Sequence, residues 1–286
     1  MRSAKWLWSK TKRLKAWLPL SHAQWGKLDL LKTLVQRSLE AKYKGSVLGN
    51  LWPLIRQISQ LLIYTYVFSI VLNVKLSGQG LPGGDRSFTF GIWLFAGFIP
   101  WLTFVNGLSA AARSILQQQN LITKVVFPIE LIPLVPVLVA FIESSFGTVA
   151  LIVFVALLTQ TIHSTLLLLP LVWLPLLLIT SGLGYLMAGL TVFLRDIPQA
   201  LAILLNLWFY ATPILYPADL IPQPFQSLVF WCNPLAAIAA SHRDMVLTGD
   251  MTHWSVWCVA TVISGCVFLV GYRCYQKLSP AFADVL

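Results

Sequence analysis

The sequence is poor in charge. Of its 286 residues only 10% are Asp, Glu, Lys or Arg, whereas about 25% are charged in ordinary soluble domains. Hydrophobic residues make up 57% of the chain, and the mean hydropathy is +0.76. This composition excludes an intrinsically disordered protein, which needs high charge and low hydrophobicity. It also leaves too little polar surface for a water-soluble globule, so the sequence predicts a membrane protein.

Several chemical motifs are also missing. The sequence contains no G-x-x-x-x-G-K-[ST] phosphate loop and no H-E-x-x-H zinc motif, and its four cysteines form no C-x-x-C pair. Its four histidines lie in different segments. We therefore predict no catalytic residue, no metal and no cofactor on this chain, and an enzyme is disfavoured.

The basic charge is concentrated at one end. The formal net charge is +10, and the first 50 residues hold 11 of the 20 Lys and Arg residues against only Asp29 and Glu40, which gives that segment +9. Such an asymmetry is typical of a membrane protein whose N-terminus stays in the cytoplasm near anionic lipid. It does not favour a nucleic-acid partner, since the cations do not spread over a fold.

Six stretches are long and apolar enough to cross the roughly 30 Å hydrocarbon core, which takes about 20 residues of helix. They are residues 54–74, 91–112, 131–157, 166–190, 197–216 and 254–272. A seventh uncharged stretch, 220–242, is interrupted by Pro222, Pro224 and Pro234. Asn233-Pro234 reads as an N-cap followed by proline at the first helical position, so a new helix is predicted there. Two half-helices fit an outer re-entrant hairpin at about 218–249, shielded by protein.

Charge supports six spans. With the N-terminus inside, 17 cations fall on the cytoplasmic side, and only Lys75, Arg86 and Arg243 fall outside. We therefore expect an all-α membrane protein with both termini in the cytoplasm. The predicted division is a basic extension (1–26), an amphipathic interface helix (27–50), a six-span domain (51–275) and a cytoplasmic tail (276–286). In the interface helix Leu28, Leu31, Val35 and Leu39 recur at helical spacing, which suits either the membrane surface or a soluble partner.

Two features inside the spans are candidates for function. Glu143 is the single charge deep in a predicted span. It either faces a transport path or makes an interhelical hydrogen bond. Aromatic side chains also cluster in the spans, where they serve packing and anchoring or line a path for sugars. The candidates for such a path are Tyr64, Tyr66, Trp208, Phe209 and Tyr210.

An ordered set of local motifs resembles the membrane-spanning subunit of type-2 ABC exporters, particularly those that move polysaccharides. The set covers residues 27–286. It comprises Arg37 with A-K-Y-K-G-S at 41–46, N-L-I at 120–122 with Lys124 and Phe127-Pro128, F-L-R-D-I at 193–197, T-P-I at 212–214, N-P-L at 233–235, and Arg243.

The resemblance implies a homodimer in a bacterial inner membrane, each copy docked on a separate ATP-binding-cassette subunit that holds ATP and magnesium. The implied cargo is a lipid-linked O-antigen, capsular polysaccharide or teichoic acid, moved outward through a channel between the copies. A drug exporter of the same fold shares every motif, and a membrane-bound sugar or acyl transferase shares only the hydrophobicity. By position, the resemblance implies that Asn120, Lys124 and Phe127 couple the chain to the ATPase and that Arg195 and Asp196 form a cytoplasmic loop. It also implies that Arg37, Tyr43 and Lys44 belong to a gate helix. Asn233, Pro234 and Arg243 belong to the implied re-entrant region.

Overall fold

The computed structural model describes residues 22–72, 89–124 and 127–286, and over these residues the chain is helical with no β-strand. The predicted N-terminal extension lies outside the described residues up to position 21. The helices are α1 (His22–Tyr43), α2 (Trp52–Tyr64), α3 (Thr89–Gln117), α4 (Gln119–Lys124), α5 (Leu134–Thr159), α6 (Leu169–Val172), α7 (Leu174–Phe193), α8 (Ile197–Ala211), α9 (Gln223–Cys232), α10 (Pro234–Arg243), α11 (Trp254–Leu278) and α12 (Phe282–Val285). The all-α class predicted from composition is confirmed for this part of the chain.

Five helical segments in the described ranges are long and apolar enough to cross a membrane. They are Trp52–Val71, Phe90–Gln117, Ile129–Thr159, Ser164–Phe193 and Trp254–Val285. The remaining predicted span, 197–216, is the 15-residue helix α8, which covers about 22 Å at 1.5 Å per residue. It ends at Ala211 because Thr212 is extended and precedes Pro213, and the residue before a proline disfavours helix. The sixth span therefore stays a prediction.

Helix α3 lies at the centre of the bundle. It packs against α2, α5, α7, α8 and α10, and its Phe95 and Phe104 side chains are fully buried. A helix that is apolar on all sides needs such a position, since it has no face suited to water. Helix α11 packs mainly on α7 and α10, and α5 and α11 keep exposed apolar side chains such as Val149 and Val262.

Helices α7 and α11 approach each other closely at two glycines. A Cβ atom on Gly271 would lie 2.0 Å from the carbonyl oxygen of Gly182, and one on Gly182 would lie 2.5 Å from the Cα of Phe268. Small residues allow two helix backbones to come into direct contact in a membrane bundle. This contact fixes α11, the last span, against the rest of the fold.

The stretch that competes for a seventh span forms two short helices, α9 and α10. The Asn233 side chain accepts a hydrogen bond from the Leu235 amide at 3.2 Å, and Pro234 occupies the first position of α10. The prediction of a helix start at this dipeptide is therefore confirmed.

Candidate functional site

Helix α1 runs alongside α5 in the same direction. Near its start Lys27 pairs with Glu130, and near its end Lys42 pairs with Glu143. The two acids, Glu130 in the turn before α5 and Glu143 within α5, are 13 residues apart, which corresponds to about 20 Å of helix. Between them, the apolar side chains in contact are Leu31, Leu34, Val35 and Leu39 of α1 with Val135, Leu138 and Val139 of α5. The predicted apolar stripe is present, although its first member, Leu28, is exposed.

Glu143 is the centre of a polar cluster that joins three helices. Glu143 is buried, with 4% of the residue surface exposed. It accepts hydrogen bonds from the Tyr43 hydroxyl at 2.7 Å and the Lys42 ammonium at 2.8 Å, and Arg56 of α2 lies 3.5 Å away. Burial and the bond to Glu143 raise the pKa of Tyr43, so its hydroxyl remains a donor. Hydrogen bonds to a charged acceptor are among the stronger ones, and this arrangement favours the interhelical bond over an acid open to a transport path.

Replacing Glu143 by Gln tests this interpretation. The amide keeps an acceptor for Tyr43 but loses the charge that Lys42 and Arg56 contact. Because both cations are about half exposed, water replaces part of the lost interaction, and we expect a cost of about 1 kcal/mol. The expected result is a lower unfolding temperature in detergent and a lower yield, with normal export per folded molecule.

The matched control is Glu40→Gln, which neutralises an exposed acid on α1 and should leave the unfolding temperature unchanged. Lost export by Glu143→Gln at wild-type stability would instead place Glu143 on the transport path.

The predicted coupling segment joins a second apolar cluster at the end of the bundle near α4 and α12. Ile122 of α4 and Phe282 of α12 are buried there together with Ile132, and Phe127 packs against them. Two tyrosine hydroxyls bond the turn before α5 to the spans. Tyr185 of α7 donates to the Glu130 carbonyl and Tyr275 of α11 donates to the Ile129 carbonyl, both at 2.9 Å. Asn120 is exposed on α4. Lys124 ends α4, and its side chain lies outside the described residues.

The loop between α7 and α8 lies beside the end of α3. A cavity of about 530 Å³ is lined by Arg113 and Gln117 of α3 and by Arg195 and Gln199. Arg195 and Asp196 are both exposed, and within the described ranges they form no ion pair with each other. The structure thus brings two predicted cytoplasmic segments together at one concave surface.

Arg243 is buried at the end of α10. Its guanidinium donates to the backbone oxygens of Trp93 at 3.1 Å, Pro213 at 3.0 Å and Ile214 at 2.9 Å. It also stacks on the Trp93 ring, 3.5 Å from the centroid. Gly97 makes room for it, since a Cβ there would lie 2.1 Å from Nη2. Arg243 therefore connects α10, α3 and the segment after α8.

The other residues of the hairpin support the same junction. The Trp208 indole donates to Asn233 Oδ1 at 3.1 Å, and the Asn233 amide donates to the Thr212 hydroxyl at 2.9 Å. Pro234 is buried. Just after α10, the Asp244 carboxylate accepts the Thr252 and His253 amides at 2.9 and 3.2 Å, and this bonds the start of α11 to the hairpin.

The candidate path aromatics fall into two groups. Tyr64, Trp208 and Phe209 pack within the bundle. The ring centroid of Phe98 lies 4.9 Å from that of Tyr64 and 5.4 Å from that of Phe209. The ring centroid of Trp208 lies 5.3 Å from that of Phe104. Tyr66 and Tyr210 are exposed at 59% and 66%. Among the gate residues, Tyr43 binds Glu143, whereas Arg37 and Lys44 are exposed.

Comparison with known proteins gives the family. A family model described as ABC-2 type transporter matches residues 29–246, a range that begins within α1 and ends just after α10. The chain belongs to the ABC-2 type transporter family. Its relatives include an O-antigen export system permease protein of Myxococcus xanthus, 32% identical over 75% of this chain and 78% of the relative. An O-antigen export system permease protein of Klebsiella pneumoniae is 27% identical over 90% of this chain and 95% of the relative. A polysialic acid transport protein of Escherichia coli is 24% identical over 77% of this chain and 81% of the relative.

Membership of the ABC-2 family narrows the classes left open by the sequence to the exporters. It supports a multi-pass transport subunit and not a transferase. The residues that sequence reasoning missed are Lys42, Trp93, Gly97, Asp244 and His253. Only Lys42 carried a local signal, because it flanks the predicted interface helix next to Tyr43.

Proposed function

We propose that this chain is the membrane-spanning subunit of an ATP-driven exporter that moves a lipid-linked polysaccharide of the O-antigen class outward across the bacterial inner membrane. The single observation that carries the proposal is the family match, and the O-antigen export permeases among the relatives supply the cargo class. The apolar bundle agrees with it, because a chain with so few ionisable groups is suited to forming a path while a partner supplies the energy.

The proposed topology has six spans, with α8 as the short one. The N- and C-termini are cytoplasmic, and α9 and α10 form the outer re-entrant hairpin. The bonds of Arg243 and Asn233 satisfy polar groups within the protein, as irregular backbone at membrane depth requires. A reporter fused after Lys277 should behave as cytoplasmic, and extracytoplasmic activity would contradict this topology.

The proposed partners are a second copy of this chain, an ATP-binding-cassette subunit, membrane lipid and the lipid-linked glycan. The path lies between the two copies, where the exposed Tyr66 and Tyr210 are available to sugar rings. Such a shielded path is needed because a hydroxyl without a partner in hydrocarbon costs several kcal/mol. ATP and magnesium belong to the partner subunit.

The proposed coupling begins at α4. Closure of the ATPase pushes on α4 and the loop at Arg195 and Asp196. The apolar cluster around Ile122 and Phe282 passes the motion to α7 and α11 through the Tyr185 and Tyr275 hydroxyls. Helix α1 moves with α5, because the contacts at Glu130 and Glu143 hold it at two points. The spans then tilt and open the path.

This coupling predicts that reversing the charge at Lys124 and truncating Asn120 will separate ATP hydrolysis from export. We expect the Lys124→Glu/Asn120→Ala double variant to be folded and to bind the ATPase, but to export at least about tenfold less glycan per ATP. This factor corresponds to about 1.4 kcal/mol between the barriers of the coupled and the uncoupled step. The assay is ATP hydrolysis and glycan export in the same proteoliposomes.

The control is Lys277→Glu, which reverses an exposed charge near the end of α11 and should leave the ratio of export to hydrolysis unchanged. A normal ratio in the double variant would remove α4 from the coupling mechanism.

The proposal as a whole is tested by purifying the tagged chain from its native membrane. We expect an ATP-binding-cassette subunit to copurify and glycan export to need ATP. Export of small drugs but no glycan would assign the same fold to another cargo, and the absence of any such ATPase would refute the proposal.

A further inference from the structure

A long apolar groove runs along the outside of the bundle. It has a volume of about 900 Å³ and lies between α1, α5 and the segment around α6. It is lined by Val35 and Leu39 of α1, Val149 and Ile152 of α5 and Leu169 of α6. The groove lies outside both the Glu143 cluster and the coupling segment.

The lining of this groove is mostly apolar, and its polar groups are Lys32 and Gln36 of α1, two hydroxyls of α5 and the Trp173 indole. Its two α5 hydroxyls are turned back onto their own helix, since Ser145 donates to the Ile142 carbonyl at 2.6 Å and Thr148 to the Ser144 carbonyl at 3.3 Å. A sugar or nucleotide placed along α5 would lose most of its hydrogen bonds to water without replacement. A hydrocarbon chain has no such cost.

The dimensions of the groove fit such a chain. Along α5 it extends from Leu138 to Ile152, which is about 21 Å of helix. One lipid chain occupies about half of the roughly 30 Å hydrocarbon core. The groove is therefore long enough to hold an acyl chain over its whole length within one leaflet.

The positive charge of the groove lies at the end near the start of α5. Lys32 lines the groove on α1, and the pairing of Lys27 with Glu130 places it toward the start of α5. In the topology proposed above, this end faces the inner leaflet, whose anionic lipids attract basic segments beside the membrane.

We propose that this groove binds one anionic phospholipid of the inner leaflet, with an acyl chain along α5 and its head group at Lys32. The lipid holds α1 against α5 between the two ionic contacts. It is a resident part of the subunit and distinct from the exported glycan. The inference uses the inside position of the N-terminus but does not depend on what is exported.

Native mass spectrometry of the full-length chain, equilibrated in detergent with phosphatidylglycerol or phosphatidylcholine, tests the proposal. Val149→Trp fills the groove, and Val153→Trp places the same bulk on an exposed valine of the same helix that does not line it. Lys32→Gln removes the head-group cation, and Arg37→Gln removes an exposed cation of α1 outside the groove. Wild type, Val153→Trp and Arg37→Gln should each retain one phosphatidylglycerol.

We expect Val149→Trp to abolish retention and Lys32→Gln to weaken it about fivefold, the effect of about one basic side chain near an anionic surface. Equal retention by Val149→Trp and Val153→Trp, or by Lys32→Gln and Arg37→Gln, would overturn the proposal. So would equal retention of phosphatidylcholine, or capture of a polyprenyl phosphate in place of phosphatidylglycerol. If Val149→Trp fails to fold, comparing phosphatidylglycerol retention by Lys32→Gln and Arg37→Gln still tests the proposal. No transport is measured, so failure here leaves the proposed function untouched.

Discussion

Gly271→Ala is expected to destabilise the protein strongly. The new methyl group would lie 2.0 Å from the Gly182 carbonyl oxygen, and because that atom belongs to the backbone of α7, no side-chain rotation can relieve the overlap. Overpacking costs typically about 1–3 kcal/mol, and we expect a value near the upper end. The measurement is the unfolding temperature and the monodisperse fraction in detergent.

The matched control lies on the same helix. A Cβ on Gly265 has no atom within 4 Å, so Gly265→Ala should be neutral or stabilise α11 by up to about 1 kcal/mol through helix propensity. Equal behaviour of the two variants would show that α7 and α11 are not in direct contact at Gly182.

Arg243→Lys is the second variant with a large expected effect. A single ammonium cannot reach the carbonyls of Trp93, Pro213 and Ile214 in the fork geometry of a guanidinium, and it cannot stack flat on the Trp93 ring. Leaving two buried carbonyls without a donor costs about 1–3 kcal/mol each. We therefore expect a loss of about 3 kcal/mol and release of the α10 hairpin from α3, measured as a lower unfolding temperature and faster proteolysis between α8 and α11.

Arg195→Lys is the control, because Arg195 is exposed and the substitution keeps the charge. It should leave both the unfolding temperature and the proteolysis rate unchanged. Wild-type stability of Arg243→Lys would mean that the three carbonyls find other donors and that Arg243 does not hold the hairpin.

Local features of the fold could be predicted from the sequence. The start of α10 follows from Asn233-Pro234, because a side-chain cap and a proline without an amide hydrogen act within three residues. The apolar face of α1 follows from the spacing of Leu31, Val35 and Leu39. In contrast, α8 is shorter than its apolar run, because hydropathy continues past Pro213 while the helix cannot.

Contacts between distant segments could not be predicted. Glu143 stood out as a deep acid, but its partners Lys42 and Tyr43 lie about a hundred residues earlier, and nothing in the local pattern pairs them. Arg243 stood out only as an outer cation and by resemblance. Its fit against Trp93 depends on the missing side chain of Gly97, and a glycine within an apolar helix gives no sign of what occupies the space beside it.

The central claim is that this chain forms the path for a glycan while a separate ATPase drives it. The most direct test is to reconstitute the chain with its copurifying ATP-binding-cassette subunit in proteoliposomes that hold a lipid-linked O-antigen. The glycan should become accessible to a hydrolase on the opposite face only with ATP and magnesium, and only when both subunits are present. The claim would be contradicted if this chain moved glycan without the ATPase, or if no glycan moved while the ATPase in the assembled complex hydrolysed ATP normally.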